Sequence, residues 1–301
     1  QYKVHAKRIL VFYWLSPIVI YITYIHGQLD IIPITMTVVS FFALSKNRFS
    51  AAGIWLGLAI SAKLSMVLAS PFFLIYLLQN KRLRVKAVDF IRGFIGMSLP
   101  AVLLPTISPG YREMVLSTPE SERVFSLVMT LDTSIEAQLF IVPLIFSLML
   151  YAAWRLRRSN FHVMFNMTGV TFLLFVLFSP AAPGWFLWAL PFLVVYQLYG
   201  DKIGHALVAA FSIFSVPFLH AKTAKASAYL LSDPFILSTL NTIVVSLGLV
   251  LAFRIFQQGI RGNDFFQLSR RPLSIAIAGD SGAGKDTLAM ALEGLFGSQS
   301  V

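Results

Sequence analysis

Apolar residues dominate this chain in long uninterrupted runs, and short polar stretches separate them. The runs fall at about 9–25, 29–44, 51–78, 89–106, 137–153, 162–179, 184–198, 203–220 and 234–256. Many approach the ~20 residues an α-helix needs to cross a bilayer. They lack the period-two alternation of a transmembrane strand, which argues against a β-barrel. The pattern predicts a polytopic α-helical membrane protein. The third run is broken at Lys63 and Pro71, which predicts two short helices in place of one long span.

Composition agrees. Of 301 residues, 57% are hydrophobic and only 12% charged, about half the charged share of a soluble domain. The net charge of +11 would suggest nucleic acid for a soluble protein. Here the basic residues sit between the runs, where they set topology and meet anionic lipid, so no nucleic-acid partner is expected. The absence of cysteine excludes disulfides, thiolate metal sites and cysteine nucleophiles.

Basic clusters orient the spans. Lys3, Lys7 and Arg8 precede the first run, Lys46 and Arg48 follow the second, and Lys81, Arg82, Arg84 and Lys86 follow the third. Arg155, Arg157 and Arg158, then Lys202, then Arg254, Arg261, Arg270 and Arg271 continue the series. The positive-inside rule makes these loops cytoplasmic. The segment 51–78 then becomes a hairpin whose tip, Ser61-Ala62-Lys63-Leu64-Ser65, faces outward. The same outer face collects 26–30, the loop 106–136 and 179–184. It also collects 221–233, although Lys222 and Lys225 there run against the rule.

Tyr24-Ile-His26-Gly27-Gln28-Leu29-Asp30 carries the most informative polarity. Ionisable groups at membrane depth mark a cavity or interface by default, although polar residues also simply mark membrane exits. His26 and Asp30 are four apart and share a face if the backbone there is helical. A lipid-phosphate leaving group needs a cation, because charge develops there as the bond breaks. Lys63 at the outward tip is the first candidate, with snorkelling to the interface as its alternative. Arg112, beside Tyr111 and Glu113, is the second, with a solvated loop helix as its alternative. Trp185, Phe186 and Trp188 suit either a lipid groove or an interfacial aromatic belt.

Near the end, Gly279-Asp280-Ser281-Gly282-Ala283-Gly284-Lys285-Asp286-Thr287 follows an apolar run, 273–278, and precedes a helix-like stretch, 288–296. Strand, glycine turn and helix in that order are what a phosphate loop requires. Glycines let backbone N–H groups wrap the phosphates, and Lys285 reaches the terminal ones. Asp286 takes the usual Ser/Thr position, so Thr287 becomes the candidate Mg²⁺ ligand through bound ATP. The stretch 272–301 resembles the start of the P-loop nucleoside and nucleotide kinases, such as the uridine kinase group. The charge-derived topology puts it in the cytoplasm, where nucleoside triphosphate is found.

The larger part of the chain, about 10–200, resembles the GT-C fold glycosyltransferases that use polyprenyl-phosphate sugars. The likeness rests on Ser16-Pro17-Ile18-Val19-Ile20, on His26-Gly27-Gln28-Leu29-Asp30, on the glycine-patterned helix 51–62 ending at Lys63, and on Pro180 with Gly184-Trp185-Phe186-Leu187-Trp188-Ala189-Leu190-Pro191. It implies transfer of a sugar from a polyprenyl-phosphate carrier on the non-cytoplasmic face, in a prokaryotic plasma membrane. His26, Gln28, Asp30, Lys63, Tyr111 and Arg112 become candidate substrate-binding residues. The resemblance places the main catalytic acid in a loop expected upstream of residue 1, and leaves open whether a divalent metal takes part. The expected organisation is a GT-C-like membrane domain over 1–256, a linker over 257–271 and the start of a kinase-like domain over 272–301. An ATP-driven transporter and a membrane-anchored kinase are the alternatives.

Overall fold

The computed structural model describes residues 2–116, 122–132, 137–156, 159–223, 233–263, 277–280 and 282–296. The chain divides into two compact units, 1–263 and 264–301. The first unit is built almost wholly from helices.

Helix α1 (Tyr2–Trp14) meets α2 (Pro17–Ile25) at a 50° bend. The cause is local: Pro17 has no N–H to give to the preceding turn and is confined to the start of a helix. The last part of α2, Ile20–Ile25, winds as a π-helix, an uncommon form that recurs at functional sites. After Gly27 come α3 (Ile31–Ser45) and α4 (Phe49–Ala62), and Lys63 ends α4 with an extended backbone. A 3₁₀ segment, Leu64–Ala69, leads into α5 (Ser70–Gln79). The break in the third run therefore falls at Lys63. Pro71 sits in the first turn of α5, where proline is tolerated.

Helices α6 (Ala87–Ile107) and α7 (Pro109–Leu116) follow. An antiparallel pair then forms, β1 (Val128–Asp132) with β2 (Ala137–Phe140). Its exposed Met129 and Leu131 suit a hairpin at a membrane surface. The fifth apolar run thus begins as strand, and its helix α8 (Ile141–Arg155) starts four residues later than the hydrophobicity suggested. Helices α9 (Phe161–Phe178), α10 (Phe186–Tyr199), α11 (Lys202–Thr223) and α12 (Pro234–Arg261) complete the unit. Helix α12 continues to Arg261, so the first residues expected to form a linker are helical.

Among the described residues three helices, α9, α11 and α12, are long and apolar enough to cross a membrane, and the bent pair α1–α2 makes a fourth if it is one broken span. Helices of this length and composition suit an integral membrane protein. Helices α3, α4 and α8, of 14 or 15 residues, rise about 22 Å at 1.5 Å per residue, short of a ~30 Å hydrocarbon core.

Contacts sort the ends of these helices into two groups. At one end Gln79 donates to the Trp154 carbonyl, Asn160 Nδ2 donates to Gly262 O at 2.9 Å, and Arg254 pairs with Asp201 at 2.9 Å. The Gly204 N–H, and after it Arg254, holds the Asp201 carboxyl below the usual carboxylate range. At the other end lie 26–30, Lys63, 181–188 and 222–223. Helices α1–α2 and α11 run parallel, since Phe12 meets His205 and Tyr21 meets His220.

Helix α4 lies between α3 and α6. A Cβ on Gly53 would overlap the Phe90 carbonyl, one on Gly57 would come 2.7 Å from the Phe94 carbonyl, and one on Gly93 would overlap the Ser50 carbonyl. The G-x-x-x-G spacing of Gly53 and Gly57 thus lets the α4 and α6 backbones touch, which is how helices associate where apolar burial gives no net drive. Ser61 Oγ reinforces the seam by donating to Met97 O at 2.7 Å. Aromatic rings fill the centre: Phe41 stands 4.5 Å from Phe73, and Phe165 stands 4.6 Å from Phe192.

Gly53→Leu should separate α4 from α6 and cost about 1–3 kcal/mol as an overpacked seam. Thermal unfolding in detergent measures it, and an unshifted midpoint would mean the backbones are not in contact there.

Candidate functional site

The stretch after α2 is not helical. Gly27 adopts φ +76°, which L side chains rarely tolerate. The Gln28 N–H reaches back to Ile22 O at 3.1 Å. This turn sends His26 and Asp30 to different places, so the shared helical face expected from their spacing does not exist. His26 is exposed, its ring stacked on Tyr21. Asp30 is buried.

Asp30 stands at the N-cap of α3, yet its carboxylate makes no capping bond to that helix. An N-cap aspartate ordinarily caps its own helix, at a gain of ~1 kcal/mol. Here Oδ1 accepts from Lys63 Nζ at 2.6 Å and from Trp188 Nε1 at 3.0 Å. A carboxylate withdrawn from local duty to serve a distant contact is the mark of a site. Lys63 owes its position to the end of α4, where its extended backbone turns the side chain toward Asp30 and over Trp188, 5.6 Å from the ring centroid. Trp188 in turn stacks on Trp185 at 4.7 Å.

Gly184 closes the arrangement. Its N–H donates to Gln28 Oε1. A Cβ at this position would overlap both Asp30 Oδ2 and Gln28 Oε1, so only glycine lets the 181–184 turn approach. Asp30, Gln28, Lys63, Gly184 and Trp188 therefore come together from three separated stretches of chain. Lys63 keeps 19% of its side chain exposed and Asp30 only 7%: the carboxylate is an anchor, and the ammonium is what the cluster presents.

The cluster continues to α11. Lys222 Nζ donates to Ala181 O at 2.8 Å, in the same turn as Gly184. Thr223 Oγ1 lies 3.0 Å from Tyr21 Oη, whose ring carries His26. Arg123 is near enough to Lys222 for the two charges to interact. Lys222 looked only like an exception to the charge rule, and no motif flagged it. Its exceptional position was itself the signal, because a lysine out of place in topology is in place at the cluster.

Other expectations meet a different outcome. Tyr111 and Arg112 lie on α7, Arg112 exposed. Among the described residues no hydrogen bond or ion pair joins either to Asp30 or Lys63. Trp185, Phe186 and Trp188 are buried and so form core behind the site, neither an interfacial belt nor a lipid-facing groove. Asn166, Met167 and Thr168 lie within α9, where Asn166 Nδ2 meets Ile255 O.

In the second unit, helix α13 (Lys285–Phe296) begins at Lys285, three residues before the expected start. Gly282 and Gly284 have φ of +86° and +73°. Lys285 Nζ donates to the carbonyls of Gly279 at 2.5 Å and Asp280 at 3.1 Å. Asp286 and Thr287 are exposed in the first turn, and Gly279, Asp280 and Ala283 are exposed before it. Ser281 and the larger part of the expected strand, 273–276, lie outside the described residues. Among the described residues no cluster of His, Asp or Glu is arranged to hold a metal ion.

A helical membrane bundle that folds a buried carboxylate, a lysine and a tryptophan into one end has the makings of an enzyme acting at a bilayer surface. The chain belongs to glycosyltransferase family 87, whose model matches residues 3–180. No curated protein and no solved structure matches it. The match contains His26, Gln28, Asp30 and Lys63, and ends just before Gly184 and Trp188. The protein is thus a membrane glycosyltransferase.

Asp30→Ala should leave the Lys63 ammonium partly buried without its partner, at a cost of about 3–5 kcal/mol. The double variant Asp30→Ala/Lys63→Leu should recover part of that loss. Denaturation of the four proteins measures the coupling, and simple additivity would mean the pair is not formed.

Proposed function

We propose that this protein is a GT-C-type transferase that moves a sugar from a polyprenyl-phosphate carrier to an acceptor at the non-cytoplasmic face. The observation that carries this reading is the Asp30–Lys63–Trp188 cluster, built at the helix ends opposite the basic loops. As the glycosidic bond breaks, negative charge gathers on the departing phosphate. A preorganised cation there lowers the barrier because it needs no reorientation when the charge appears. Asp30 and Trp188 fix Lys63 on two sides, and the ammonium keeps N–H donors for a phosphate oxygen. Lys222, fixed on Ala181 O, supplies a second positive charge on the same turn. His26 and the Gln28 amide suit hydroxyls of the sugar. Asp30 is a positioning residue in this scheme, since both its bonds from Oδ1 are spent on holding the site. The proton acceptor for the attacking hydroxyl is assigned to a group outside this cluster.

Reconstituted protein given a radiolabelled polyprenyl-phosphate hexose should transfer label without ATP. Lys63→Ala should lower the rate about 100-fold or more, the usual consequence of losing one charge-stabilising donor, and Lys63→Arg should restore part of it. Full activity in Lys63→Ala would remove Lys63 from the site. ATP-dependent solute flux without transfer would instead favour a transporter.

We further propose that residues 279–287 bind a nucleoside triphosphate in the cytoplasm as the opening of a kinase-like domain over 272–301. Left-handed Gly282 and Gly284 turn the chain around the space before α13, and Lys285 stands at the helix start where phosphate is favoured. Thr287 is the proposed hydroxyl ligand for Mg²⁺. A fluorescent ATP analogue with Mg²⁺ should bind the full-length protein, and Lys285→Ala should weaken binding at least about tenfold. Equal binding by both would leave the loop without this role.

A further inference from the structure

A groove of about 320 Å³ runs between α1–α2 and the α10–α11 pair, away from the Lys63 cluster. Its walls are apolar: Val11, Leu15, Leu190, Val208 and Ile213. Its floor is not. Ser16, Gln197 and Ser212 line it, and each is more than nine-tenths buried. Ser16 Oγ is wholly enclosed and has no hydrogen-bond partner. Among the described residues the side chains of Gln197 and Ser212 make none either. His205 closes one end, its Nδ1 bonded to Asp201 O at 2.7 Å, so Nε2 remains available to the groove.

A polar side chain without a partner is costly at membrane depth, where no bulk water satisfies it, and of the three only the Ser16 hydroxyl is fully enclosed. The 50° bend at Ser16 and Pro17 opens the space they face. Walls of aliphatic side chains around a hydrogen-bonding floor match an amphiphile with polar groups part-way along it, and poorly match a bare hydrocarbon. Ester carbonyls of a glycerolipid are such groups, since a Ser hydroxyl and the Gln amide both donate to carbonyl oxygen. The His205 end carries the charge. Lys7 and Arg8 lie one turn before Val11 and Phe12 on α1, and Lys202 lies one turn before His205 on α11; all three are exposed. Phe12 meets His205 at 5.5 Å, which brings these two helix starts together. Basic residues at the mouth of an interhelical pocket suit an anionic headgroup.

We infer that this groove is a binding site for one anionic glycerophospholipid, with phosphate at Lys7, Arg8 and Lys202, an ester oxygen on the Gln197 amide, and an acyl chain between α1 and α11 reaching past Ser212. The site itself is independent of the transfer reading; naming its leaflet as the cytoplasmic one rests on the sidedness in that reading. Its basic mouth lies at the opposite end of the bundle from the proposed sugar chemistry. Its role is to hold α1–α2, which carries the His26 turn, against α11, which carries Lys222.

The test is native mass spectrometry of the full chain in detergent with added dioleoyl phosphatidylglycerol or dioleoyl phosphatidylcholine. One phosphatidylglycerol should stay bound per chain, about tenfold in preference to phosphatidylcholine. Ser212→Phe, which fills the groove, should abolish retention. The exposed triple variant Lys7→Gln/Arg8→Gln/Lys202→Gln, which leaves the core untouched, should keep a lipid but lose the preference. Absence of any retained lipid, equal retention of the two lipids by the unaltered protein, or retention unchanged by Ser212→Phe would overturn the proposal. So would a doubled protein mass with no lipid, which would mean that a second copy covers the groove. None of these readouts involves sugar transfer, so failure here is separable from failure of the enzymatic assignment.

Discussion

A buried carboxylate that accepts from an ammonium at 2.6 Å and an indole at 3.0 Å governs the geometry of one end of this bundle. An isolated ion in that setting would cost several kcal/mol, so Asp30 requires Lys63 and Lys63 is held by Asp30. The pair dictates three pieces of architecture. Helix α4 must stop at residue 63, the chain before α3 must turn sharply at Gly27, and the 181–184 turn must come close enough for Trp188 to donate. Glycine at 184 follows from the last requirement, because any side chain there would occupy the space of the Asp30 carboxylate. The ion pair is therefore less a source of stability than a specification of which three strands of sequence meet.

The helical seam serves the same end. Gly53, Gly57 and Gly93 let α4 and α6 touch backbone to backbone, and this rigid pair carries Lys63 at its tip. Loose packing there would let the ammonium wander from the carboxylate. Electrostatic preorganisation depends on a charge held fixed before the reaction needs it, so the glycine seam and the proposed chemistry are linked through the position of a single nitrogen.

Much of this was legible in the sequence. Long apolar runs gave the helices, and the polar residues 26–30 and Lys63 stood out because ionisable groups in such surroundings need a reason. Other parts were hidden for physical causes. The His26–Asp30 spacing suggested a common helical face, but a left-handed glycine lies between them and spacing cannot reveal φ. The strand pair at 128–140 was masked by its apolar residues, which continue without a break into α8. Trp185 and Trp188 looked interfacial because aromatic belts have the same composition; their burial depends on what α9 brings against them, as Phe172 does against Trp188. Lys222 carried no motif, and its role emerges only from Ala181, some forty positions away in the chain. The polar floor of the α1–α11 groove was likewise invisible, since a serine in an apolar helix ordinarily bonds its own backbone.

The account depends on which membrane face holds the Lys63 end. The chain has no cysteine, so single cysteines report their own location. In intact cells, a membrane-impermeant maleimide should label His26→Cys directly and Lys202→Cys only after the membrane is opened. Labelling of Lys202→Cys from outside, with His26→Cys protected until permeabilisation, would contradict the account at its root.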